Sequence, residues 1–351
     1  MAQKGSDKSK RPTKTFISFS SFASTSSLNE SEKSTSFGSP VYEGDDMALL
    51  AASKKLLKKD PLTKTKAINE VLCCFQNLEP YALSEDVALL EGKAKEFLPF
   101  FVYAYPRLAL DNSRKIREQL NCILAKIIKI NKKLLQPYMN TLIGHWWLLT
   151  ADPIEDVRME AIRCFEEAIP KKKRQSVLHF LAPSLLECLG AILNAMTTAS
   201  PTDEDEQEKI ERVLNSLFGC LKNLMIVFDV HQNDNLRNHY ITIVSEKLCL
   251  QSIQSPLPLV QKGMFSLLNT MVVTPGTESI IASYLLPSST RKSGSIIFQI
   301  LECFAESSAS VIDSVMECFL AFIGAADVAS VLWSNGFSIH KVLLMTQYLH
   351  C

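Results

Sequence analysis

The chain has 351 residues, 47% hydrophobic and 21% charged, and its 37 basic and 37 acidic side chains cancel. That apolar share can bury a large core, twelve glycines and few alternating runs argue against an all-β fold, and ten cysteines without a C-x-x-C exclude the usual zinc and disulfide frameworks. Charge does not cancel locally, however. Residues 1–175 hold 28 Lys and Arg against 21 Asp and Glu, whereas residues 176–351 hold 9 against 16, so one end is expected to face a polyanion.

In chain order, residues 1–45 are rich in Ser, Thr and Lys and poor in aliphatics, and are expected to be a disordered tail. Within it, Lys14 precedes Phe16, Phe19 and Phe22, three aromatics at three-residue intervals. Such a segment either packs back on the folded part or orders on a partner. Helices are expected to begin near Met47, and Asp60-Pro61 marks a turn into a second helix running through Leu72 and Phe75. Further helices are predicted at Glu91–Tyr105, Ser113–Lys133, Leu134–Thr150 and Ile154–Ile169.

Two turns share one grammar. Asp111 and Asp152 lie 41 residues apart, and each is followed six residues later by an arginine, Arg117 or Arg158. Self-similarity at that period predicts a HEAT/armadillo-like α-solenoid. The turn aspartates are expected to cap the second helix, with Pro153 in its first turn. Lys66 holds the equivalent place after Asp60, and Pro256, Val260 and Gln261 echo Pro153, Val157 and Arg158 at an offset of 103. Arg117 and Arg158 are expected to form an internal ladder with the turn carboxylates.

Residues 46–175 thus read as one set of repeats and 176–351 as further helical repeats. Helices are expected at Val177–Met196 and Ile210–Val230, separated by an acidic loop from Thr197 to Glu208. The last residues follow an apolar run, Val342–Met345, without the polar cap of a natural solenoid, so truncation of a longer protein is expected.

No nucleotide-binding, zincin or serine-hydrolase motif is present, and the six histidines are scattered. No catalytic, cofactor or metal residue is therefore assigned. The cysteines are expected to be buried free thiols in a reducing compartment, and a cytosolic location with no membrane partner is expected. Basic residues remain. Arg114 and Lys115 open a repeat's second helix, Lys126, Lys129, Lys132 and Lys133 recur along it, and Lys171, Lys172, Lys173 and Arg174 follow at the next repeat edge. They read either as a solvated face or as phosphate contacts with RNA.

Several blocks resemble the N-terminal domain of listerin, a RING-type E3 ubiquitin ligase family of ribosome-associated quality control. They are Thr15–Phe19 with Phe22, Leu56–Asp60 followed by Thr63–Ala67, Phe97–Pro99, Arg114–Glu118, Leu135–Met139 leading into Leu142–Trp146, and Ala168–Pro170. The resemblance covers roughly residues 14 to 175. It implies docking on a large (60S) ribosomal subunit and its rRNA, and on the tRNA-binding NEMF-type cofactor, so that stalled nascent chains are ubiquitinated. It also implies zinc only in a C-terminal RING, of which this sequence has no Cys/His array. Candidate docking residues are then Lys14, Phe16, Phe19, Phe22, Arg114, Lys115 and Lys171 to Arg174. The alternative is a non-catalytic α-solenoid scaffold that grips a protein partner.

Overall fold

A computed structural model describes residues 42–75, 84–227, 234–245, 251–274 and 308–325, together with 299, 300 and 303. The expected tail up to residue 41, with its phenylalanine segment, and the chain end after 325 lie outside the described residues. Among those described are eleven α-helices and no strand. They are α1 (Met47–Leu56), α2 (Pro61–Cys74), α3 (Ser84–Ala109), α4 (Arg114–Asn131), α5 (Met139–Leu149), α6 (Glu155–Ala168), α7 (Arg174–Thr198), α8 (Glu204–Val227), α9 (Asp234–Ser245), α10 (Pro258–Val273) and α11 (Ala309–Gly324).

The helices stack in two layers. One holds α3, α5 and α7, and the other holds α2, α4 and α6. Helix α8 packs on α5 and α7 and hands the stack to α10, which covers α11. This is the α-solenoid that the 41-residue period predicts. Direction in the second layer follows from two contacts per helix pair, of which the ion pairs Lys64–Asp111 and Arg117–Asp152 join the helix starts. The Gln119 amide donates to Asn69 Oδ1 at 2.9 Å, and Cys122 Sγ lies 3.4 Å from Glu160 Oε1. Helices α2, α4 and α6 therefore run parallel, with their N-termini along one edge and their C-termini along the other.

Aromatic clusters fill the space between the layers. Phe97 sits 5.8 Å from the rings of Phe75, Phe100 and Phe101, while Phe165 meets Trp146 at 5.4 Å and Trp147 at 5.3 Å. Tilted and edge-on arrangements of this kind add stabilisation beyond burial alone.

At the N-terminal edge the turns are locked by charge. Arg117 and Asp152 are each 1% exposed, and Nε of Arg117 donates to Asp152 Oδ2 at 2.8 Å. Its Nη1 donates to the carbonyls of Asp111 and Asn112, both at 2.9 Å, and Asp152 also accepts from the Ile154 N–H at 2.9 Å. Every polar group of the buried pair is thus engaged, which offsets the desolvation cost of burying it. One repeat earlier, Lys64 pairs with Asp111. Arg212 of α8 closes the series, donating to the carbonyls of Leu110 and Asp111 at 3.1 Å and approaching Asp152 at 3.8 Å. Burial and the neighbouring Arg117 pull Arg212 down to about 10, so it stays charged at neutral pH.

The ladder differs from its expected form in three ways. Asp111 and Asp152 are not the caps, because Ser113 and Ile154 hold those places; each aspartate instead accepts the N–H two residues on, in an Asx turn. Pro153 accordingly precedes α6 and lies outside its first turn. Asp60 is a true N-cap, accepting from the Thr63 N–H at 2.7 Å, with Pro61 following at the first helical position. Counting from the N-cap, the fourth residue is Lys64, Arg117, Arg158 and, in α10, Gln261. Lys66 is therefore exposed and outside the ladder. Arg158 reaches back to the Asp152 carbonyl, and Gln261 donates to the Ile253 carbonyl, each at 3.0 Å.

Element boundaries also shift. Residues 132–138 form a 3-10 segment containing Pro137, which lacks an N–H, so α5 starts only at Met139. The expected acidic loop is mostly helix: Glu204, Asp205 and Glu206 form the first turn of α8, where negative charge suits the helix dipole. Helix α7 is long and apolar enough to cross a membrane by length and composition. Its Leu178, Leu181, Leu185, Leu186 and Leu189 nevertheless face the core against α5 and α8.

Candidate interaction surface

The parallel second layer divides the predicted basic residues between two edges. Arg114 and Lys115 are exposed in the first turn of α4, at the N-terminal edge. Lys171, Lys172 and Lys173 are exposed in a 3-10 turn between α6 and α7, at the C-terminal edge. With α4 spanning 18 residues, the two groups stand roughly 27 Å apart at 1.5 Å per residue.

The edges differ in electrostatics. At the N-terminal edge, Glu155 and Asp156 open α6 beside α4. The Asn112 amide donates to the Asp205 carbonyl at 3.0 Å, which draws the acidic first turn of α8 onto the same turn. Signs are mixed there. At the C-terminal edge, Lys129, Lys132 and Lys133 are exposed at the end of α4. Helices α4 and α6 run parallel and end at Asn131 and Ala168, so Lys132 and Lys133 beyond the first and Lys171 to Lys173 beyond the second share this edge. No carboxylate pairs with any of these six lysines among the described residues.

Arg174 does not belong with them. Its Nη1 donates to Glu166 at 2.8 Å and its Nε to the Ile169 carbonyl at 3.2 Å, so it braces the turn from α6 to α7. Between α4 and α6 lies a shallow groove of about 390 Å³ lined by Glu118, Asp156, Met159, Glu160, Arg163 and Glu166. Arg163 is engaged by Glu160 and Glu167, which leaves this face acidic.

Burial disfavours nucleophile chemistry at five of the described thiols. Burial pushes the thiols of Cys122 and Cys188 up to about 12 and raises those of Cys164, Cys220 and Cys318. The thiolate that could attack or bind metal is thereby suppressed. The expectation of buried thiols holds for Cys164, Cys220, Cys303 and Cys318, while Cys73 is exposed, and Cys249 and Cys351 lie outside the described residues. His145 sits 3.5 Å from Cys188 Sγ, but burial lowers its pKa to about 4 and keeps it neutral. Among the described residues no group of three or more His, Cys, Asp or Glu could hold a metal ion.

The sequence model for the N-terminal domain of the E3 ubiquitin-protein ligase listerin matches residues 44–347. The chain belongs to the listerin N-terminal domain family. The match runs well past residue 175, where the recognisable blocks stop, and begins after the phenylalanine segment. Listerin of Mus musculus is 24% identical over 226 residues, covering 62% of this chain and 12% of that protein. Listerin of Drosophila melanogaster is 29% identical over 181 residues, covering 49% of this chain and 10% of that protein. The chain thus spans only about a tenth of the curated listerins it matches. A designed armadillo repeat protein in complex with the peptide (KR)4 aligns over 78% of this chain and 98% of its own, at 13% identity and a TM-score of 0.36. That score carries no argument, and the solenoid assignment rests on the helix packing above.

Proposed function

We propose that this chain is the ribosome-docking region of a listerin-type RING E3 ubiquitin ligase, acting in the cytosol in ribosome-associated quality control. It holds the ligase on large 60S subunits that retain a stalled nascent chain, in contact with rRNA and a NEMF-type cofactor. The observation that carries this reading is the listerin match over 44–347. Ubiquitin transfer is assigned elsewhere in the ligase.

The test is co-sedimentation of the 351-residue chain with purified large subunits, with and without the cofactor, across a salt series. Binding that falls steeply with salt is the expected result, because phosphate contacts release counterions. Absence of binding under every condition would refute the reading. A protein-gripping scaffold is the second reading, favoured by the acidic α4–α6 groove with its half-exposed Met159. Salt-resistant capture of a peptide in that groove would decide for it.

A further inference from the structure

The C-terminal edge of the second layer, together with the start of α7 that leaves it, combines three features that no packing role explains. Six exposed lysines are gathered there, Lys129 from α4, Lys132 and Lys133 from the 3-10 segment that follows it, and Lys171, Lys172 and Lys173 from the turn before α7. Neighbouring helices of a stack lie about 8–10 Å apart, comparable to the Debye length of about 8 Å at physiological salt, so the two groups are only partly screened from each other. Their repulsion goes unrelieved, because the nearby carboxylates are engaged elsewhere. Glu166 pairs with Arg174, Glu167 with Arg163, and Glu91 accepts from the Asn131 amide at 2.7 Å.

The third feature is aromatic. Phe180 is 78% exposed, the most exposed large hydrophobic residue among those described. It lies on α7 seven residues beyond Lys173, two helical turns along the same face, with Ser176 exposed between them. An exposed phenylalanine beside an unpaired basic cluster suits a ligand that carries both phosphates and flat π faces.

We infer that this edge is an RNA-binding face, with the six lysines on consecutive phosphates and Phe180 stacked on an unpaired base. The inference deepens the docking proposal and rests on it for the identity of the RNA. It also assigns the contact to the C-terminal edge, away from Arg114 and Lys115. Phosphate chemistry excludes the α4–α6 groove, whose carboxylates repel a polyanion.

The experiment uses the whole 351-residue chain and a fluorescent 20-nucleotide poly(U), with poly-glutamate as a competitor that has charge but no bases. Wild type is expected to bind with a log–log salt slope near −4, from about −0.7 per contacted phosphate on a single strand. K129E/K132E/K133E and K171E/K172E/K173E should each lose tenfold or more and flatten the slope by about 2. F180A should weaken binding roughly fivefold or more without altering the slope. R114E/K115E should stay within twofold. All substituted side chains are exposed, so unchanged circular dichroism melts are required of every variant. Equal losses in R114E/K115E and the lysine variants, or effective competition by poly-glutamate, would overturn the inference. Co-sedimentation with large subunits separates the two levels: equal sedimentation of wild type and lysine variants defeats the edge and spares the docking proposal. Poly(U) binding without wild-type sedimentation defeats the docking proposal and leaves the edge.

Discussion

At the scale of single residues, the Arg117–Asp152 pair shows how much one buried contact can determine. Both side chains are essentially inaccessible, and removing one leaves the other's charge unpaired in low dielectric. Asp152→Ala is expected to destabilise the chain by about 3–5 kcal/mol, read from the urea midpoint. The double variant Arg117→Met/Asp152→Leu should recover more than half of that loss; recovery of nothing would show that the pair is needed for more than mutual neutralisation. His145 makes a second residue-level prediction. Its folded pKa, about 4, lies below the ordinary value of 6.5, so between those pH values the unfolded chain binds a proton that the folded chain refuses. Stability contributed by keeping it neutral is present above pH 6.5 and is lost as pH falls toward 4, to a total of about 3 kcal/mol. Replacing His145 by Leu should flatten the stability profile across that window, and parallel profiles for the two proteins would contradict the burial argument.

At the scale of elements, α5 and α7 approach so closely that a glycine is required. A Cβ at Gly144 would overlap the Cβ and Sγ of Cys188, leaving no room for even one methyl group. Gly144→Ala should therefore cost about 1–3 kcal/mol despite alanine's better helix propensity, with Cys188→Ala far milder as the control. A stabilised Gly144→Ala variant would mean that the two helices separate freely. The helix starts show what sequence spacing can and cannot resolve. Asp60, Asp111 and Asp152 look equivalent in the sequence, yet the first is an N-cap and the others sit two residues before one. The six-residue rule thus finds Arg117 and Arg158 but selects Lys66 where the fold uses Lys64. Arg212 escapes sequence reading altogether, since it joins the ladder from a helix about a hundred residues downstream.

At the scale of the whole molecule, the docking proposal separates into a test of the tail and a test of the edges. Replacing Phe16, Phe19 and Phe22 by Ala should leave the helical melt unchanged, because these residues lie outside every described helix, while weakening co-sedimentation with large subunits. Unchanged affinity would remove the tail from the docking proposal. Local pattern alone determined the all-α character, the repeat, the onset near Met47 and the listerin resemblance, because helical periodicity and turn chemistry are written within a few residues of one another. Only the tertiary structure decided which cations lie together. Sequence proximity joined Arg174 to the three lysines before it, but the fold turns it onto Glu166 and Ile169. The sequence also grouped Arg114 and Lys115 with Lys171, Lys172 and Lys173. The parallel run of α4 and α6 sends them to opposite edges, because a charge at a helix start and one past the next helix's end are separated by a full helix length.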